Sequence, residues 1–343
     1  MSSEQAKNAL VPDSSRVATS GSIVPPASHR RVFMVLSPST LGYATFALES
    51  LFRNCAEPMH LHLITDSAAD KEKLIEELSS RQITTGHLWS VYAENELADR
   101  EESLFGPYPN LRAFRHGHPC WRKITDPMLL SNDGEEMVLL DPDLYFPNKF
   151  KFEPTPQTGV LLMWQKPSCL VPAAVVRSGM EQGIRFAHHV DIGVGGWRAP
   201  VDLEWMDWLL ARLDANKLTR VMHIEAIVWS ALAMRIGGGY LNPKLWHCWH
   251  RNQPKRILRK AGVPGIQLLR VEDFSSIKCF HAGGEAKWWL AEAKQRGMLD
   301  QSRDRTSNGE ILPFEELLPA TYYREQRVKS TLAKLGYYTV FRT

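Results

Sequence analysis

The chain has 343 residues, 44% of them hydrophobic, and a formal net charge of +3. That length allows one large or two small domains with a sizeable core, and so small a charge gives no electrostatic case for nucleic-acid binding. The cysteines (Cys55, Cys120, Cys169, Cys248, Cys279) are odd in number and scattered, without a CxxC pair. This argues against a zinc ribbon or a disulfide framework and fits a reducing compartment. No apolar run approaches the roughly 20 residues of a spanning helix, and the first residues lack a basic-then-apolar signal pattern. The expectation is a soluble, cytoplasmic protein.

Residues 1–29 are rich in Ser, Ala, Val and Pro and offer too little periodic apolar surface to offset the entropy of ordering, so they read as a tail. The short apolar run Val32-Phe33-Met34-Val35-Leu36 predicts a buried strand. Ser39 to Asn54 carries Leu41, Ala44, Leu48 and Leu51 at helical spacing. Leu61, Leu63 and Ile64 predict a second strand, after which Asp66 or Ser67 can cap a helix running to about Leu78. Leu88 to Tyr92 reads as a third strand. Strand and helix alternating in this way imply right-handed crossovers and a mostly parallel sheet. Ligands of such sheets sit beyond the carboxyl ends of the strands, which makes Ser37 and Asp66 candidate ligand-pocket residues.

Trp121 to Ser131 predicts a helix, Asn132-Asp133-Gly134 a turn, and Met137-Val138-Leu139-Leu140 another buried strand. That strand runs into Asp141-Pro142-Asp143. Two carboxylates at the mouth of a buried strand are costly unless compensated. A divalent cation compensates them well, since Mn²⁺ and Mg²⁺ prefer hard oxygen ligands and often combine one or two carboxylates with substrate phosphates. The competing reading is a polar turn, for which Asp and Pro are both common residues.

Other clusters weigh less. His116-Gly117-His118 near Cys120 reads as packing, although Arg115 or His116 could reach a phosphate. His247-Cys248-Trp249-His250 brings metal-capable residues too close together for a tetrahedral site and also reads as packing. Trp246, Trp249, Trp288 and Trp289 suit either a core or a sugar-stacking face. Residues 251–260 hold five basic residues and no acidic one. They form either a solvated face or a peripheral contact with the inner face of an anionic membrane.

Two segments carry a family resemblance. The strand with Asp141-Pro142-Asp143 resembles the metal-binding DxD segment of GT-A glycosyltransferases. His281-Ala282-Gly283-Gly284-Glu285-Ala286-Lys287-Trp288-Trp289 is similar to the H-x-x-G-x-x-K-x-W signature of glycosyltransferase family 8, the glycogenin and lipopolysaccharide galactosyltransferase group. The resemblance implies a GT-A (Rossmann-like) α/β domain over 30–290, with 291–343 as a C-terminal helical extension. It implies a divalent metal, Mn²⁺ or Mg²⁺, on Asp141, Asp143 and His281, with Gly284 and Lys287 at the donor diphosphate.

Three weaker matches extend it. Trp121 to Leu130 resembles the helix before the DxD strand, with Lys123 where the family has Arg; either Arg122 or Lys123 is left to face the diphosphate. His189 to Trp197 resembles the N-x-G-V segment of the sugar pocket, with Asp191 in place of Asn and able to accept from sugar hydroxyls. The alternative there is a glycine-rich turn entering a strand. Glu225 stands where the family carries an acidic residue near the anomeric carbon.

The activity so implied is hexose transfer from a nucleotide-diphosphate sugar, expected to be a UDP-sugar, with retention of configuration. The acceptor, whether glycan, lipid or protein, is not legible. Two rivals remain: a GT-A-like domain that binds a nucleotide sugar or glycan without transferring it, and a nucleotidyltransferase. The latter would want a Gly-rich basic loop where this chain has Ser37-Pro38-Ser39-Thr40.

Overall fold

The computed structural model describes residues 29–81, 86–199, 201–213, 221–249 and 252–341. The expected tail up to residue 28 lies outside them, as do His250 and Arg251.

The first third of the chain alternates strand and helix as its apolar pattern predicts. Strand β1 (Arg30–Val35), helix α1 (Leu41–Asn54), β2 (Met59–Thr65), α2 (Ala68–Ser79) and β3 (Leu88–Ala93) follow one another, with β1, β2 and β3 parallel. Helix α1 buries Ala44, Ala47, Leu48 and Leu51, one face at 3–4 residue spacing. Ser67 caps α2 by accepting from the amide of Asp70.

Helices α3 (Ala98–Phe105), α4 (Pro109–Arg115) and α5 (Arg122–Leu129) then lead into β4 (Glu136–Leu140). They are tied by a buried ion cluster in which the Arg115 Nε donates to Asp126 Oδ1 at 2.8 Å and its Nη1 pairs with Glu101. His116 lies between Glu94 and Glu101. Arg115 is only 2% exposed, so it is a structural cation and not a phosphate contact. Removing one member of such a cluster leaves uncompensated buried charge. Arg115→Met is expected to cost about 3–5 kcal/mol of stability, read as a lower denaturant midpoint, with metal binding per folded molecule unchanged.

Beyond β4 come the short strands β5 (Leu144–Tyr145) and β6 (Lys149–Phe150), then β7 (Val160–Trp164), α6 (Ala173–Glu181), β8 (Val190–Arg198), α7 (Leu203–Arg212), α8 (Ile224–Ile236), β9 (Gly238–Leu241) and β10 (Trp246–Cys248). The last part holds α9 (Gln253–Lys260), α10 (Gly265–Leu269), β11 (Cys279–His281), α11 (Leu290–Gln295), β12 (Asp304–Arg305), β13 (Ile311–Pro313), α12 (Pro319–Lys334) and α13 (Tyr337–Phe341).

The strands form an eight-stranded sheet in the order β13-β9-β7-β8-β4-β1-β2-β3. Four of its neighbouring pairs are parallel and three antiparallel. The chain thus adopts the expected α/β class, a mostly parallel central sheet flanked by helices. Strand β4 is the seam, parallel to β1 on one side and antiparallel to β8 on the other. Along it Met137 and Leu139 enter one apolar layer while Val138 and Leu140 enter the other. Cover on both faces explains why this strand reads as an unbroken apolar run.

The glycine-rich segment around Gly193 to Gly196 is not a turn; it is the middle of β8. The segment beyond residue 290, expected to be helical, also supplies strands: β13 extends the large sheet beside β9 and β12 pairs with β6. A small sheet, β10-β11-β5, stands on a third apolar cluster that includes Phe280, Ala282 and Leu290. No helix among the described residues is long and apolar enough to cross a membrane.

Candidate metal centre

Asp141 and Asp143 leave the carboxyl end of β4. The Asp141 amide donates to the Gly193 carbonyl at 2.8 Å, which continues the β4–β8 pairing one step past the strand. On the other side β5 pairs antiparallel with β11, with Leu144 opposite His281, and the Ala282 amide donates to the Asp143 carbonyl at 2.9 Å. Backbone pairing therefore brings two distant parts of the sequence together. The His281 Nε2 lies 3.2 Å from Asp143 Oδ1 and 3.9 Å from Asp141 Oδ2.

The other face of the imidazole is held as firmly. His281 Nδ1 donates to Asp191 Oδ1 at 2.8 Å, and the Gly193 amide donates to the same oxygen at 2.9 Å. The Cys248 thiol approaches Asp191 Oδ2 at 3.4 Å. Asp191 lines the same cleft as Asp141 and Asp143, and both of its oxygens are engaged within the protein, so that it backs His281. Glycine at 193 is what permits this closeness, since a Cβ there would stand 2.6 Å from His281 Nδ1. A carboxylate behind a metal-ligating histidine fixes its tautomer and ring orientation. Asp191→Asn is expected to weaken Mn²⁺ affinity by about 10–100-fold while leaving the melting temperature of the metal-free protein within a few degrees, as checked by metal titration beside thermal unfolding.

Lys123 and Arg122, adjacent on α5, go different ways. Lys123 is 5% exposed, and its Nζ lies 2.7 Å from Asp141 Oδ1 and 2.7 Å from Glu225 Oε1. Arg122 turns to the Thr65 carbonyl, Asp66 and Glu94. Lys287 is half-buried, with its Nζ 3.5 Å from Asp143 Oδ2 and 4.7 Å from the centre of the Tyr43 ring. Gly284, beside it, adopts φ +65, a conformation that favours glycine.

Glu225, in the first turn of α8, is 2% exposed; its Oε2 has no hydrogen-bond partner. Burial pushes it up to about 8 even against the pull of Lys123. Burial alone would lower His281, but Asp191 and Asp143 outweigh it and hold the imidazole well above its ordinary range. Burial would raise Asp143, yet His281 and Lys287 keep it below the usual carboxylate range.

These groups open on a cleft of about 520 Å³ whose walls include Asp141, Asp143, Glu225, His281, Gly284 and Lys287. Trp249 and Arg256 also line it, as do Gln165 and Cys169, which the residue pattern did not single out for this role. Ser37 and Asp66 do lie just past the carboxyl ends of β1 and β2 but are not among the lining residues. Ser37 instead caps the turn before α1. Of the tryptophans, Trp246 is fully buried, Trp289 packs edge-on against Trp249, and Trp288 is exposed beside Tyr43. The basic helix α9 is partly neutralised, with Lys255 paired to Glu272 and Arg259 to Glu285.

The donor set suits a hard divalent cation. One oxygen from Asp141, one from Asp143 and one nitrogen from His281 lie within 4.8 Å of one another. Around them stand the carboxylates of Asp141, Asp143, Asp191 and Glu225 against the ammonium groups of Lys123 and Lys287. A dication in place of the His281 proton adds positive charge beside the carboxylates of Asp141 and Asp143. Two carboxylates and an imidazole can hold a divalent cation and leave positions for further ligands.

No protein-family model and no curated protein matches this chain. Among solved structures it is similar to mouse xyloside xylosyltransferase 1, at 14% identity over 75% of this chain and 99% of that one, with a TM-score of 0.47. It is also similar to the galactosyltransferase LgtC bound to donor and acceptor sugar analogues, at 12% identity over 78% and 96% of the two chains, TM-score 0.42. A third is the mannosyltransferase Ktr4p of S. cerevisiae, at 11% identity over 64% and 70%, TM-score 0.40.

Proposed function

We propose that this chain is a metal-dependent glycosyltransferase that moves a hexose from a nucleotide-diphosphate sugar, a UDP-sugar, to a glycan, lipid or protein acceptor. The observation that carries the reading is the meeting of Asp141, Asp143 and His281 at one cleft, with Lys287 3.5 Å from Asp143.

Asp141, Asp143 and His281 would hold the cation, Mn²⁺ in preference to Mg²⁺. When bound, it neutralises the negative charge that develops on the leaving diphosphate. Lys287 reaches the same leaving group from the cleft wall, and its loose contact with Asp143 leaves it free to move there. Lys123 holds Asp141 and Glu225 in place and keeps both from repelling an anionic donor. The unpartnered Glu225 Oε2 supplies a buried acceptor for a hydroxyl of the transferred sugar near the anomeric carbon. Asp191 orients His281. The acceptor hydroxyl attacks the anomeric carbon as the diphosphate leaves. Retention of configuration is expected from the resemblance to family 8.

The test is Mn²⁺-dependent release of free sugar from UDP-hexoses without an added acceptor. Slow hydrolysis that stops on chelation upholds transfer chemistry. Tight donor binding with no turnover, under any acceptor, favours a binding protein instead.

A further inference from the structure

His281 offers a second nitrogen to a second set of ligands. Strands β10 and β11 run parallel with Cys248 directly beside His281, so both side chains project to the same side of the small sheet. Asp191 meets them from β8. The contacts are close: Cys248 Sγ to Asp191 Oδ2 is 3.4 Å, Cys248 Sγ to His281 Nδ1 is 3.8 Å, and Asp191 Oδ1 to His281 Nδ1 is 2.8 Å. Around a tetrahedral Zn²⁺, with Zn–S, Zn–N and Zn–O bonds of ordinary length, ligand atoms stand about 3.3–3.6 Å apart. One ligand atom from each of the three residues lies within 4.8 Å of the others, a spacing from which the side chains can close on such an ion. All three line the cleft, which leaves a fourth position for water.

We propose that Asp191, Cys248 and His281 Nδ1 form a second, thiophilic cation site that takes Zn²⁺ and is antagonistic to the Mn²⁺ site. The antagonism rests on the reading of Asp141, Asp143 and His281 as the catalytic cation site; the thiolate site does not. Its cause is the shared imidazole, whose Nδ1 lies 2.8 Å from Asp191 Oδ1 and whose Nε2 lies 3.2 Å from Asp143 Oδ1. Zn²⁺ at Nδ1 claims the carboxylate that orients the ring and sets a second dication on the same imidazole, so the two ions repel. The Zn²⁺ also takes Cys248 as the thiolate, the thiol proton passing to solvent. A soft sulfur ligand selects zinc over manganese and magnesium, so the two sets differ in the ion they prefer as well as in place.

The experiment uses the full chain and the metals alone. Co²⁺ titrated into wild-type protein is expected to give a near-ultraviolet sulfur-to-cobalt charge-transfer band, absent in Cys248→Ser and kept in Cys169→Ser. Saturating Mn²⁺ is expected to raise the Co²⁺ dissociation constant read from that band at least tenfold in wild type and to leave it unchanged in Asp143→Ala, which lacks a ligand of the Mn²⁺ site. No band in wild type, or a band that survives in Cys248→Ser, overturns the site. If the serine variant does not fold, X-ray absorption of the zinc-loaded wild type decides. A sulfur scatterer at about 2.3 Å upholds the site, and a shell of nitrogen and oxygen alone overturns it. A band without antagonism upholds the thiolate site and counts against the catalytic one, whereas Mn²⁺-dependent donor binding without a band does the reverse.

Discussion

Asp143→Ala is expected to abolish Mn²⁺-dependent binding of a UDP-sugar, with a loss of at least about 100-fold, the upper end of what even an outer-shell partner contributes. Asp143 carries two contacts at once, 3.2 Å to His281 Nε2 and 3.5 Å to Lys287. Its removal takes away a ligand oxygen and frees Lys287, which is half-buried and can reach solvent. The fold is therefore expected to survive, which separates loss of the site from loss of the protein. Calorimetry with the sugar nucleotide in Mn²⁺ is the measurement, with thermal unfolding as its control. Undiminished binding would sink the metal assignment.

Lys123→Met is expected to cost as much stability as Arg115→Met. Lys123 lies 2.7 Å from both Asp141 and Glu225, with all three buried. Burial would depress the ammonium, but the two carboxylates outweigh it and hold Lys123 well above its ordinary range. Methionine keeps the volume and removes the charge, leaving the buried Asp141 without its counter-ion and Glu225 without its hydrogen-bonding partner. The cost is about 3–5 kcal/mol by the behaviour of broken buried pairs. Because a dication supplies the missing positive charge beside Asp141, Mn²⁺ is expected to restore more stability to Lys123→Met than it adds to wild type. Denaturant unfolding of both proteins with and without Mn²⁺ reads this directly, and equal increments would contradict the coupling.

The parts legible in the sequence were those encoded by local pattern. The strand Val32 to Val35, the helix at Leu41, and the apolar run ending at Asp141 all follow from burial on both sheet faces, which leaves its mark on consecutive residues. The meeting of Asp143 with His281 was accessible only through the family resemblance, because nothing local to either segment announces the other. The choice between Arg122 and Lys123 was not legible: neighbours on a helix point about 100° apart, and which one faces the site depends on how α5 is rotated against β4. Asp191 read as a sugar contact because its position behind His281 depends on β8 running antiparallel to β4 in one register. Cys248 read as packing for the same reason, since only the β10–β11 register sets it beside His281. Strand β13, three residues ending in Pro313, is too short to show a period.

The most direct test of the central claim is the melting temperature of the wild-type protein with a panel of UDP-sugars, with and without Mn²⁺. A ligand at 100 times its dissociation constant adds about 2.7 kcal/mol of stability, a shift well within reach of thermal denaturation. The account predicts a rise with at least one UDP-sugar that requires Mn²⁺ and disappears on chelation. A rise of the same size without the metal, or none with any sugar nucleotide, would contradict it.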